Sequence, residues 1–146
     1  MIFLDANVFL RLLGAPRTPI DAERGEFALA MFRAIRDGRI AATTSEVVLH
    51  EVCFVLTSTG NYGHPPTQVA TDMMDLIQHD GFHFPAGEHA IYLRALELWH
   101  ERPQLGFADA VIAVRCERAG HDLATFDRHF DAIPTVARWQ WDATLA

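Results

Sequence analysis

The apolar positions of this chain change period several times, and each change marks an expected element. "MIFLD" runs straight from apolar residues into an acid, the pattern of a short buried strand ending at Asp5. "NVFLRLLG" reads as a short helix closed by Gly14, and the Pro- and Gly-rich "GAPRTPIDAERG" as a loop. Over residues 23–37, Phe27, Met31 and Ile35 recur at helical spacing with Ala34 beside them. That spacing predicts an amphipathic helix with these side chains on its core face, stopped by Gly38.

Further along, "RIAAT" is expected to be a strand, and Ser45 to cap a helix over "EVVLHEVCFVLTSTG" that ends at Gly60. After the turn "NYGHPP", Thr67 is expected to cap a helix reaching His79, and "FHF" at 82–84 is a candidate strand. Residues 88–101 predict a helix closed off by Pro103, and "GFADAVIAVRCERAG" one that ends at Gly120. "DLAT" then reads as a strand, "FDRHF" as a turn or short helix and "TVARW" as a last strand. Strands alternating with helices predict an α/β fold with a mainly parallel sheet. No linker divides the chain, so residues 1–146 are expected to form a single domain.

Composition narrows the class. Every long apolar run is broken by charge, as "VVLHEVCFVL" is by Glu51, and the N-terminus carries no basic stretch. Neither a membrane span nor a signal peptide is expected. Cys53 and Cys116 lie in apolar helix-like runs and read as buried thiols, which suits the cytoplasm. The formal charge is −7 and the twelve basic residues include no lysine, so general affinity for nucleic acid is weak. Arginine still makes bidentate phosphate contacts, and Arg11, Arg17, Arg39 and Arg128 are candidates for a local phosphate track.

The acids are the candidate chemistry. In open parallel α/β sheets, ligands bind at the carboxyl ends of the strands, where Asp5 and Asp127 are expected. Each acid also has a structural explanation. Asp5 or Asn7 would cap the first helix, Asp109 would be a helix-start charge, and Asp127 a turn residue. Glu51 falls at the edge of an apolar helix face made by Val48, Leu49, Val52, Val55 and Leu56. A carboxylate partly desolvated there calls for a cation, either an arginine or a metal ion. Glu46, directly after Ser45, reads as a first-turn acid.

"FLDANVFL", "TTSEVVLHEV", "FADAVIAV" and "GHDLATFDRHF" together resemble, in order and spacing, the four landmarks of the PIN-domain family, above all the VapC-type toxins of bacterial toxin–antitoxin pairs. The resemblance implies a three-layer sandwich with a mainly parallel central sheet flanked by helices. It implies an Mg²⁺- or Mn²⁺-dependent endoribonuclease whose metal-site acids fall on Asp5, Glu51, Asp109 and Asp127. Asn7 matches a polar position beside the first acid, and Thr125 a hydroxyl position that organises the site. Asp5 and Asp109 are the expected direct ligands, with Glu51 and Asp127 acting through water or orienting the attacking water. Carboxylate oxygens suit such hard cations, and four crowded acids should raise some of one another's pKa values. The implied partners are an RNA substrate, a cognate antitoxin and a second copy of the chain. A groove beside the early amphipathic helices would suit the antitoxin.

Other readings fare worse. Aspartyl-phosphate enzymes generally rely on a lysine, which is absent, and the haloacid-dehalogenase-like pattern wants an acid where Asn7 stands. A Walker A loop is excluded on the same ground. The eight histidines show no zinc-site spacing and read as surface residues. Trp139 and Trp141 are placed to stack bases or to pack. The remaining rival is a binding module that keeps the fold without nuclease activity, and the filled acid positions favour the enzyme.

Overall fold

The computed structural model describes residues 1–140. Two very short parallel strands begin the framework, β1 (Ile2–Phe3) and β2 (Ala42–Thr43), with Ile2 opposite Ala42 and Phe3 opposite Thr43. The pairing continues one residue further. Leu4 donates its amide to the Thr43 carbonyl at 2.9 Å, and the Thr44 hydroxyl donates to the Leu4 carbonyl at 2.9 Å. Leu4 and Thr44 are both buried, and Thr44 is the one buried polar side chain among the described residues. Its hydroxyl takes the place of a ladder donor and satisfies a carbonyl that water cannot reach.

On the other side of β2, Phe82 makes a parallel bridge to Ala42. "FHF" therefore contributes one bridge and not a strand, because Pro85 soon follows without an amide to donate. Gly81 makes this close approach possible, since a Cβ there would run into the backbone oxygens of Ile35 and Ile40. "DLAT" and "TVARW" likewise meet in a single parallel bridge, Leu123 with Arg138. All pairings observed are parallel, as the alternating pattern predicts.

The described residues form six α-helices beside this sheet: α1 (Ala6–Leu13), α2 (Pro19–Arg36), α3 (Glu46–Thr57), α4 (Pro66–Ile77), α5 (Glu88–Glu101) and α6 (Phe107–Ala119). The α/β arrangement fits a PIN-like sandwich. Helix α1 packs on α2 and α3, while α4 and α5 pack together against α3 and α6. Phe9, Ile35, Leu49, Leu56, Met73, Leu96 and Val111 fill the core between them. No described helix is long and apolar enough to cross a membrane.

Two helix starts differ from expectation, and a third lacks its expected capping bond. Helix α2 begins at Pro19, inside the expected loop, because the Thr18 side chain accepts the Asp21 amide and Pro19 sits in the first turn, where no amide is needed. Of the expected core face, Ala34 and Ile35 are buried and Met31 is half-buried, while Phe27 stays exposed and Ala28 and Phe32 go inside instead. Helix α4 begins at Pro66 after Pro65, so Thr67 lies within the helix and caps nothing. Ser45 does stand at the start of α3, yet its side chain makes no capping bond.

A charged clamp ties three of the helices. Arg115 of α6 bonds Glu88 of α5 at 3.0 Å and also pairs with Glu46 of α3, and the Tyr92 hydroxyl donates to Glu88 at 2.6 Å. Arg115 and then Tyr92 hold the Glu88 carboxyl below its ordinary range. Burial, with Glu88 beside it, pushes the Tyr92 hydroxyl up to about 12. Glu46 is thus a structural acid as well as a first-turn one. Both cysteines are free thiols, Cys53 buried and Cys116 half-buried.

Thr44→Val is expected to leave the Leu4 carbonyl buried and unpaired, at a cost of roughly 1–3 kcal/mol. Urea unfolding should show a lower midpoint with an unchanged slope, and Thr44→Ser should recover most of the loss. An unaltered midpoint in the valine variant would show that the bond contributes nothing.

Candidate active site

Asp5 leaves the sheet immediately after the doubly held Leu4, at the N-terminal end of α1. It occupies the capping position, but its side chain makes no capping bond. Its carboxylate instead accepts a long 3.4 Å contact from the Asn7 side-chain amide and faces solvent. The ordinary reason for an Asp at this position is therefore missing.

Glu51 lies midway along α3 and is exposed, not partly desolvated as the apolar face suggested. Its neighbours Val48 and Val52 turn inward while Val47, His50 and Phe54 share its outer side. Arg115 instead pairs with Glu46, the other acid of α3, and with Glu88. Among the described residues no arginine pairs with Glu51.

Asp109 stands in the first turn of α6, and Gly106 sets its position. Gly106 has φ 77° and ψ 158°, a conformation essentially reserved for glycine, and so launches the helix sharply out of the preceding loop. Asp109 is half-buried, and its carboxyl is raised above the ordinary value first by burial and then by the negative charge of Asp127. His129 and His50 pull it partly back. Two carboxylates from distant segments thus feel each other across the site.

Asp127 opens a short 3-10 turn, Arg128–Ala132. Its own amide donates to the Thr125 hydroxyl at 3.0 Å, and its Oδ1 accepts the His129 amide at 2.8 Å. The same oxygen lies 2.9 Å from His129 Nδ1. The turn role foreseen for Asp127 is real, and Thr125 does organise its backbone. Its second carboxylate oxygen makes no bond among the described residues.

Two residues of this neighbourhood carried no clear sequence signal. His50 and His129 read as surface histidines, yet both lie near enough to Asp109 to act on its charge. Position offered a hint, since each is within two residues of a candidate acid. The arginine track does not form: Arg11 pairs with Asp21, Arg39 with Asp37 and Arg128 with Asp131. Arg17 lies over the Tyr62 ring and donates to the Asn61 carbonyl. Trp139 joins the Leu123 bridge through its backbone, and Trp141 lies outside the described residues.

The sequence matches the PIN-domain family over residues 2–136. The chain belongs to that family. No curated protein matches the chain. The PIN fold is of nuclease type, and its members are generally hydrolases that use divalent metals. The donors present fit such an ion in chemistry: hard carboxylate oxygens, two of which repel each other in its absence. They do not form a closed cage, because among the described residues no three His, Cys, Asp or Glu side chains stand together as a metal site. Mg²⁺ demands less than a cage, since it keeps several waters and is commonly held by one or two carboxylates plus substrate phosphates.

A carboxylate whose pKa is raised on folding contributes stability only while protonated. That contribution is complete below the unfolded value and lost as pH rises through the folded one. Asp109→Asn should therefore raise the melting temperature of the metal-free protein at pH 7, and the gain should vanish in acid, where Asp109 is already neutral. Thermal melts in EDTA across that range check this, and a destabilised variant at pH 7 would count against the repulsion.

Proposed function

We propose that this PIN-domain protein is a cytoplasmic Mg²⁺- or Mn²⁺-dependent endoribonuclease, the VapC-type toxin of a toxin–antitoxin pair. The observation that carries the reading is Asp109, raised by burial and by Asp127 at the edge where α6 begins. Asp5 and Glu51 support it as well, since neither has the cap or the arginine that would make it structural.

In this reading Asp5 and Asp109 would hold the cation directly, with Glu51 and Asp127 completing the site through water or orienting the attacking water. A bound divalent cation supplies charge to stabilise the phosphodiester oxygens and lowers the pKa of water. The chain's own part is positional. The Leu4 amide and carbonyl bonds fix where Asp5 emerges, and Asn7 steadies its carboxylate. Thr125 and His129 fix the Asp127 turn and leave one carboxylate oxygen available. Burial of Asp109 lowers the local dielectric, which strengthens its attraction for a cation.

The antitoxin has a plausible seat between α1 and α2. An apolar groove there is lined by Val8, Ala28 and Met31 and by the exposed Phe27, with Arg11 and Arg24 beside it. A homodimer is part of the same proposal.

Purified, partner-free protein is expected to cut RNA into discrete fragments with Mn²⁺ or Mg²⁺ and not with EDTA. Asp5→Asn and Asp109→Asn should each reduce cleavage at least about a hundredfold, the scale of several kcal/mol that metal-assisted charge stabilisation provides. Mn²⁺ should also raise the melting temperature of the wild type more than that of Asp109→Asn. Cleavage that survives EDTA and both substitutions would overturn the mechanism. Folded protein that never cuts would favour a PIN-fold binding module.

A further inference from the structure

Helix α2 is the longest among the described residues, and its inner side packs on α1. Its outer side faces water. Glu23, Glu26, Ala30 and Arg33 are all exposed and follow one another at steps of three and four residues, so they form one stripe. Phe27 flanks the stripe on one side and is 67% exposed, and Leu29 flanks it on the other and is 41% exposed. Large apolar side chains gathered around one polar stripe make a contact surface.

The charges say what kind of surface it is. Among the described residues Glu23, Glu26 and Arg33 have no ion-pair partner, although Asp21 and Arg36 of the same helix are paired, with Arg11 and Asp37. The unpaired charges are also segregated. Both acids lie in the N-terminal half of α2 and Arg33 in the C-terminal half. A nucleic acid would be repelled by the acids. A second α2 laid parallel would bring like charges together, whereas one laid antiparallel brings opposite charges together.

The match is close. Glu23 and Arg33 stand equally far on either side of Ala28, and so do Glu26 and Ala30. A twofold axis level with Ala28 therefore sets Glu23 of each copy against Arg33 of the other. It sets Glu26 opposite the small Ala30, which leaves room for it. Phe27 and Leu29, on the two flanks, come beside their own counterparts near the axis. A surface that meets itself in this reciprocal way is what a twofold dimer requires.

We propose that α2 is the surface of the homodimer, with two copies packing this helix antiparallel through reciprocal Glu23–Arg33 pairs around Phe27 and Leu29. The inference rests on the homodimer of the proposed function and gives it a place on the molecule. Of the residues used, only Phe27 also lines the groove between α1 and α2, so charge changes at Glu23 and Arg33 leave that groove as it is.

Sedimentation velocity of the full-length, metal-free protein over a concentration series tests this. The wild type is expected to dimerise and to dissociate on dilution, since one helix per copy is a small interface. Glu23→Arg and Arg33→Glu each put like charges in contact twice, and each should raise the dissociation constant at least about tenfold. Both positions are exposed, so the melting temperatures should stay near that of the wild type. An equimolar mixture of the two variants should dimerise as the wild type does, because every contact is again between opposite charges. Mixing could not repair a folding defect. Should either variant fail to fold, added salt makes the same test on the wild type, whose dimer should weaken as the pairs are screened. A wild type that stays monomeric removes the homodimer, and this surface with it. A wild-type dimer that both variants form equally well, that mixing does not restore, or that salt leaves unchanged keeps the homodimer and overturns α2 as its surface.

Discussion

The place of Asp5 depends on the way one residue, Leu4, is held. Strands of two residues have little ladder to fix their register, and a slip of one position would turn every side chain over. Leu4 prevents that by being buried and bonded through both its amide and its carbonyl, the second time by the Thr44 hydroxyl. Asp5 is the next residue, so its place is set by a bond made to its neighbour and not by any contact of its own. Because Thr44 also leads directly into α3, the same bond sets where the helix carrying Glu51 begins.

The candidate site combines a rigid support with unsatisfied charge. Asp109 is delivered by a glycine-only turn into a half-buried position next to the negative Asp127, an arrangement that is unfavourable by itself. Proteins tolerate such arrangements where a ligand relieves them. The contrast with Glu46 and Glu88 is instructive, because those two acids share Arg115 and are fully explained by it. Helix α3 thus carries one acid for structure and another, Glu51, that structure leaves alone.

Much of this was legible in the sequence, for identifiable reasons. Helix α5 and helix α6 have clear periods and clear stops, Pro103 and the left-handed Gly120, and both run as expected. The start of α2 was obscured because Thr18, Pro19 and Asp21 have a loop-like composition, although the same three residues form a helix start. The outward turn of Phe27 was hidden for a related reason: helical spacing identifies a stripe but not which of two adjacent stripes meets the core. Glu51 shows the same limit, read as edge-buried and found exposed. Strand lengths were overestimated wherever a strand proved to be one bridge, since pairing depends on a distant partner that local sequence does not specify. The links of His50 and His129 to Asp109 were out of reach, as they arise only when three remote segments converge.

Trp99 adds one more consequence. It lines a cleft beside Asp109 and comes from α5, within the stretch between α3 and α6 that carries none of the four acids. One wall of the cleft that His50, Phe54 and Asp109 line therefore comes from a helix with none of the candidate acids. Side-chain changes on that wall would reshape the cleft without altering any of the four acids. The Arg115 clamp meanwhile ties α5 to α3 and α6, so such a change of shape is confined to the wall and leaves the helices beneath it fixed.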